Sequence, residues 1–165
     1  MDSYQFDQKL ALSDGALAYT ASGIGQVGGA NQIIDFGGPQ SRTDLGIIGA
    51  QAVVRIAVVI DITAIDVTSS NETYSIDILG SNLAAGTNPV HLGGLKVGYG
   101  TATPNGTTGL ASTGAGSTTS TGRFIIFATS EQNDVKYEWI YLYVTVGGTT
   151  PSITFKAFAS MWPYE

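Results

Sequence analysis

Hydrophobic and polar residues alternate along several stretches of this chain, as they do in β-strands, where successive side chains point to opposite faces. The longest such stretch is AVVRIAVVIDI, residues 52–62. One of its faces carries only Val and Ile, at Val54, Ile56, Val58, Ile60 and Ile62. The other face is mixed, with Val53, Arg55, Ala57, Val59 and Asp61. We therefore expect a central strand whose second face is partly covered.

The same alternation predicts further strands. They are QIIDF (32–36), TYSIDIL (73–79), GRFIIFAT (122–129), KYEWIYLYVTVGG (136–148) and PSITFKAFAS (151–160), with weaker candidates at 17–20 and 89–97. The connection GGTT at 147–150 is expected to form a hairpin turn between the last two strands. No stretch has the 3.6-residue period of an amphipathic helix.

These elements predict an all-β protein, an antiparallel β-sandwich of seven or eight strands. The Cys-Trp-Cys framework of immunoglobulin domains is absent, which favours a jelly roll. A chain of 165 residues can bury one core, so we predict a single domain spanning 1–165 with an N-terminal arm at about 1–30. The absence of Cys excludes disulfides and thiolate metal sites.

Residues 98–122 have a different composition. The segment GYGTATPNGTTGLASTGAGSTTSTG carries no charge and few large apolar side chains. It cannot bury enough surface to offset the entropy lost on ordering, so we predict a long projecting loop rich in Gly, Thr and Ser. A flexible linker is the alternative.

The strand at 136–148 has two apolar faces. One carries the aliphatic residues Ile140, Leu142, Val144 and Val146, and the other the aromatic residues Tyr137, Trp139, Tyr141 and Tyr143. A sandwich strand normally buries one face, so something must cover the rings. Two interpretations remain open. Another part of the chain covers them, or they form an interface, where Tyr and Trp are enriched.

The segment FASMWPYE after the last predicted strand contains three more large apolar residues, Met161, Trp162 and Tyr164. They are candidates for anchoring the chain on a neighbouring subunit, or for capping its own core.

The charge distribution excludes some partners. The net charge is −6, and the Lys and Arg residues are scattered singly, whereas nucleic-acid binding requires clustered cations. The first residues, MDSYQFDQKLALSD, lack the features of a secretory leader. No apolar stretch is long enough to span a membrane.

The motif GIGQVG, residues 23–28, matches the dinucleotide-binding pattern G-x-G-x-x-G. That pattern needs a helix directly after it to receive the phosphate. Here another Gly and then the predicted strand within ANQIIDF follow. We expect a surface loop and no cofactor.

Candidate catalytic groups are few. His91 is the only His, whereas zinc and iron sites usually take several His or Cys ligands, and no G-x-S-x-G motif accompanies it. Asp61, Asp66 and Asp77 could form the carboxylate pair of a glycoside hydrolase, but acidic residues near strand ends are usually solvated. We therefore predict no catalytic or metal site and no enzyme.

Taken in order, six segments resemble the jelly-roll capsid cement, or decoration, proteins of tailed bacteriophages. The segments are DQKLALSDGALAYTASG, IIDFGG, VVRIAVVIDIT, YSIDILGSNLAAGTNPVHLG, GRFIIFAT and YEWIYLYVTVGGTTPSITFKAFAS. The uncharged segment 98–122 is longer and richer in Gly and Thr than the resemblance leads us to expect.

The resemblance implies a non-enzymatic virion protein that is made in the cytoplasm of a bacterial host. It would bind the major capsid protein on the outer capsid surface, commonly as a homotrimer, and bridge adjacent capsomers. Leu10 and Leu12 would lie in the region that meets the capsid or a sister subunit. The alternative is a carbohydrate- or receptor-binding module of a phage virion, since Trp and Tyr on a β-sandwich also stack on sugar rings.

Overall fold

The structure, a computed structural model, describes residues 8–36, 53–98, 101–104, 109–110 and 121–161. Its strands are β1 (Ala11–Asp14), β2 (Gly23–Ile24), β3 (Gln26–Val27), β4 (Ala30–Asn31), β5 (Ile33–Asp35), β6 (Arg55–Ile65), β7 (Thr73–Ser81), β8 (Val90–Gly98), β9 (Thr101–Pro104), β10 (Gly109–Leu110), β11 (Gly122–Thr129), β12 (Glu131–Gln132), β13 (Val135–Lys136), β14 (Trp139–Gly147) and β15 (Ile153–Met161). Within these ranges the only helix is the three-residue 3-10 turn Gln8–Leu10, and none is long and apolar enough to cross a membrane.

Two antiparallel sheets form the layers of the fold. Sheet A has five strands in the order β1-β15-β6-β11-β10. Sheet B has six, in the order β2-β14-β7-β8-β9, with β5 also paired to β14. This confirms the predicted all-β sandwich, whereas the jelly-roll connection order stays a prediction. The described strands outnumber the seven or eight expected because the additional ones, two to four residues long, are too short to show an alternation.

The core lies between the inner faces of the two sheets. Ile56 and Ile60 of β6 face Leu142 and its neighbours from sheet B, and all three are fully buried. Each such side chain contributes about 1.5–3 kcal/mol relative to an exposed one. β6 lies between β15 and β11, as predicted for a central strand. Its second face is partly covered, as predicted, since Ala57 and Val59 are buried whereas Arg55 is exposed.

The turn after β14 connects the two sheets. β14 pairs with β7, β5 and β2, whereas β15 pairs with β6 and β1. The predicted hairpin at 147–150 is therefore wrong. The chain reverses at Gly148 (φ 101°) and Thr150 (φ 52°), and a Cβ on Gly148 would lie 2.6 Å from the carbonyl oxygen of Asn71. A Gly-rich connection predicts a turn, but it does not determine which sheet the next strand joins.

Part of the predicted N-terminal arm belongs to the sandwich. β1 pairs with β15, and Leu12 is fully buried in the core. Tyr19, within the weak strand candidate at 17–20, makes an isolated bridge to Ile153 and stacks on Phe155 with ring centroids 5.2 Å apart. The arm prediction is wrong for these residues because a short strand at a sheet edge needs only a few apolar side chains.

The motif at 23–28 forms strands and a tight turn. β3 and β4 make a hairpin with Gly28 (φ 61°) and Gly29 (φ 79°) at its tip, and β5 follows. The Asp14 carboxylate accepts hydrogen bonds from the backbone N–H groups of Ala16 (2.9 Å) and Gly28 (2.7 Å). Those bonds lower the pKa of Asp14. The predicted surface loop is wrong for residues 23–24 and 26–27, which form strands. Strands β4 and β5 follow the motif, so no helix N-terminus lies directly after it to receive a phosphate.

Two short strands lie within the uncharged segment 98–122. β9 pairs with β8 of sheet B, and β10 pairs with β11 of sheet A. The prediction of a projecting loop is wrong for these strands, because backbone pairing at a sheet edge requires neither charge nor large side chains. Residues 99–100, 105–108 and 111–120 lie outside the described residues.

Candidate contact surface

The rings of β14 do not all lie on one face. Tyr137 precedes β14 and packs against Gly80, where an added Cβ would lie 2.9 Å from the Cβ and Cγ of Tyr137. Gly80 is the cross-strand partner of Ile140, whose side chain points into the core. Tyr137 is therefore on the core side and buried. The predicted face is wrong for this residue because the regular alternation begins only at Trp139.

The remaining rings lie on the outer face of sheet B. The Tyr141 side chain is only 3% exposed, because the loop at residues 82–89 folds over it. Its hydroxyl donates a 2.7 Å hydrogen bond to the carbonyl oxygen of Gly86. Burial raises the pKa of Tyr141. For this ring, the chain itself supplies the cover.

Trp139 and Tyr143 remain partly exposed on either side of Tyr141. Cross-strand partners share a face of a sheet, so three partly buried aliphatic side chains extend this surface. Ile24 is the partner of Tyr143, and Ile33 and Leu79 are both partners of Tyr141. We call Trp139, Tyr143, Ile24, Ile33 and Leu79 the aromatic patch.

Only the rings of this patch could be identified from the sequence. Ile33 lies in a predicted strand, but its face could not be assigned before its partner was known. Ile24 lies in a strand of two residues, for which no pattern exists. Leu79 alternates with the buried residues of β7 and therefore faces outward.

Polar groups border the patch beside Tyr143. Its partner Asp77 accepts a 2.9 Å hydrogen bond from the Ser75 hydroxyl, and the same carboxylate oxygen lies 3.2 Å from Nε2 of His91. A catalytic Ser donates to His, whereas here the Ser hydroxyl donates to the carboxylate. This trio therefore lacks the geometry of a catalytic triad.

The three Asp residues considered for hydrolysis do not converge. Asp61 faces outward from sheet A, where it pairs with Arg123 at 3.0 Å, and Asp77 faces outward from sheet B. Asp66 lies in the turn after β6 and accepts hydrogen bonds from the backbone and hydroxyl of Thr68, which lower its pKa. A carboxylate pair must flank one bond, and outward-facing groups on opposite sheets cannot do so. Across the described ranges, no group of three or more His, Asp or Glu side chains is placed to hold a metal ion.

The remaining candidate interface residues are in different places. Leu12 is fully buried in the core, and Leu10 is partly buried against it. Leu12 is therefore not available to a partner. Met161 ends β15, and Trp162 and Tyr164 lie outside the described residues.

An open cavity of about 510 Å³ lies on the side of sheet A, lined by Val53, Arg55, Thr129 and Glu131. It carries one positive and one negative side chain, and it is on the opposite layer of the sandwich from the aromatic patch. It is therefore a separate feature.

Comparisons of the chain with models of protein families, with curated proteins and with solved structures found no match. The resemblance to capsid cement proteins thus stays a prediction from the sequence. The contact surface has to be interpreted from its own chemistry.

Proposed function

We propose that this chain is a non-enzymatic structural protein of a bacteriophage virion. It would bind the major capsid protein on the outside of the shell, as a homotrimeric cement protein, and stabilise contacts between capsomers. The observation that carries the proposal is the aromatic patch, which keeps Trp139 and Tyr143 partly exposed on a hydrogen-bonded sheet.

The chemistry of the patch supports protein contact. Trp and Tyr bring large apolar area together with a polar group, and they dominate the energetics of many interfaces. Both rings project from a strand paired on each side, so little conformational freedom is lost when they are covered. A shell presents the same surface many times, so modest contacts repeated by linked subunits give strong total binding.

Binding to intact shells tests the proposal. Expanded capsids assembled from the major capsid protein of the same genome are sedimented with the purified chain. We expect the wild type to pellet with the capsids. The double variant Trp139→Ser, Tyr143→Ser should bind at least about tenfold more weakly. Val53→Ser is the control, because Val53 is an exposed apolar residue just before β6, on the side of the other sheet. A wild-type chain that stays in the supernatant at saturating concentration would refute the proposal.

A carbohydrate-binding module is the second candidate, because the ring of Tyr143 lies beside the hydrogen-bonding groups of Asp77 and His91. Sugar sites commonly combine a stacking ring with such groups. A glycan panel separates the two functions. Binding to glycans that is lost in Tyr143→Ser, without binding to capsids, would favour this candidate.

A further inference from the structure

The loop between β7 and β8, residues 82–89, is held in a fixed conformation by its own base. The buried Ser81 hydroxyl donates to the carbonyl oxygen of Thr87 (2.6 Å) and accepts from the backbone N–H of Leu83 (3.0 Å). The N–H of Gly86 donates to the carbonyl oxygen of Leu83 at 2.8 Å. One buried hydroxyl therefore ties both ends of the loop together.

The strand β14 and the residue before it fix the loop from the side. Tyr141 donates its hydroxyl proton to Gly86, and the backbone N–H of Glu138 donates to the side-chain oxygen of Asn82 at 3.2 Å. Gly86 has a φ of 68°, and a Cβ there would lie 2.9 Å from the Tyr141 ring. The loop is therefore packed on the sheet and does not extend freely from it.

The tip of this loop exposes apolar groups. Leu83 is 50% exposed, the highest value among the large hydrophobic residues that the structure describes as exposed, and Ala84 and Ala85 beside it are exposed as well. A single exposed Leu is common on protein surfaces. A Leu at the tip of a loop fixed by five hydrogen bonds is different, because a partner could bind it without ordering the loop first.

The chemistry of the loop specifies the surface that fits it. None of residues 81–90 is charged, although the chain carries a net charge of −6. A charged group opposite Leu83 would lose its water and gain no partner. The base of the loop also adjoins the aromatic patch, because Ser81 is the cross-strand partner of Trp139.

From these features we infer that the loop 82–89 is a preformed anchor, and that Leu83 enters an uncharged apolar socket on the capsid protein. The inference rests on the proposed function. It adds the chemistry of the partner surface and names Leu83 as the residue that binds there. The anchor and the aromatic patch form one continuous contact.

Substitutions at Leu83 test the anchor on immobilised expanded capsids. We expect Leu83→Asp to weaken binding by about tenfold or more, since a buried apolar anchor becomes a desolvated charge. Leu83→Met keeps the volume and should bind within about threefold of the wild type. The control Val53→Asp adds the same charge at an exposed Val just before β6, on the side of the other sheet, and should leave binding unchanged. Melting temperatures confirm that each variant is folded.

The variant Tyr141→Phe tests the fixed conformation, because it removes the hydroxyl that holds Gly86 and keeps the ring. We expect binding several-fold weaker than the wild type, with faster amide hydrogen exchange confined to residues 82–89. Its melting temperature is measured in parallel, and binding is compared well below it, where the variant is folded.

The outcomes separate this inference from the proposed function. If the wild type binds capsids and Leu83→Asp binds as well as Val53→Asp, the anchor is refuted and the proposed function stands. If the wild type does not bind capsids, both are refuted. Loss of binding in Leu83→Asp together with retention in Leu83→Met and Val53→Asp supports the anchor.

Discussion

Gly25 lies directly against the carbonyl oxygen of Leu12, so close that a Cβ on Gly25 would overlap that atom. The backbone N–H of Gly25 also donates a 2.9 Å hydrogen bond to the carbonyl oxygen of Leu142. Leu142 belongs to sheet B and Leu12 to sheet A, so this glycine lies where the two layers meet at one edge of the sandwich. Any side chain at this position would push the layers apart.

We predict that Gly25→Ala destabilises the chain by about 1–3 kcal/mol, the range for overpacking in a well-packed region. The matched control is Gly23→Ala, because a Cβ on Gly23 meets nothing within 4 Å and its φ lies outside the left-handed region. Urea unfolding followed by tryptophan fluorescence measures both variants. Equal midpoints for the two would show that the layers do not depend on this contact.

Neighbouring rings of β14 should respond differently to truncation. Tyr141→Ser removes a buried ring and its hydrogen bond, so we expect a loss of about 3–5 kcal/mol. Trp139→Ser removes a partly exposed ring and should lower stability by less than half as much. Chemical denaturation of the single variants provides the comparison. A loss for Trp139→Ser as large as that for Tyr141→Ser would assign Trp139 to the core and remove it from the contact surface.

The chain should lose stability in acid. Burial alone would raise the pKa of the Glu72 carboxyl. Hydrogen bonds from the Ser69 hydroxyl and from the backbone of Ser69, Asn71 and Glu72 outweigh this effect, so the pKa lies below its ordinary value of 4.5. Hydrogen bonds also hold the pKa values of Asp14 and Asp66 below 3.8. A carboxyl with a lowered folded pKa contributes stability above its unfolded pKa, and the contribution is lost as the pH falls through the folded pKa.

We therefore expect the midpoint temperature of thermal unfolding to be constant at about pH 6 and to fall steadily below about pH 4.5. Glu72→Gln should be less stable at neutral pH and should show a weaker decline in acid. Glu131→Gln removes the same charge from a partly exposed side chain and serves as the control. Thermal unfolding followed by circular dichroism across this pH range gives the midpoints. If Glu72→Gln and the wild type decline in parallel, the buried carboxylate does not govern acid stability.

At alkaline pH the buried tyrosines should determine stability. Burial raises the pKa of Tyr74, whose hydroxyl donates to the carbonyl oxygen of Asp66 at 2.6 Å. As the pH rises, Tyr74 therefore ionises at a lower pH in the unfolded chain than in the folded one. Its contribution to the free energy of unfolding is fully present below the ordinary pKa of 10 and declines as the pH rises above that value. Tyr74→Phe should reduce the slope of this decline. Denaturation at several values above about pH 9 measures the slope, and an unchanged slope would contradict the prediction.

The long strands could be predicted from the sequence because burial on one face leaves a period of two. GRFIIFAT was predicted as a strand, and β11 has the same bounds. β6 was predicted as a central strand with a partly covered second face, and the structure confirms both features. The sequence predicts these strands because successive side chains point to opposite faces, so the burial of one face places an apolar residue at every second position.

The errors occur where alternation carries no information. The connection at 147–150 was predicted as a hairpin turn, but β15 pairs with β6, whose residues lie about 90 to 105 positions earlier in the chain. Tyr137 was assigned to the same face as Trp139 because the alternation was counted from residue 136, although the strand begins at Trp139. The anchor loop carries no periodic pattern, and the exposure of Leu83 follows from hydrogen bonds made by Ser81 and Tyr141. Such contacts between distant residues are set by the tertiary fold.

The position of β15 has a consequence for biosynthesis. Within sheet A this strand separates β1 from β6, although it is the last described strand to be made. Among the described strands, β1 therefore has no partner in its sheet while the ribosome is still translating the intervening segments. The sandwich can close only after β15 has left the exit tunnel, and a fold dominated by such distant pairings forms slowly. Nascent chains of this protein should consequently depend on chaperones until late in translation.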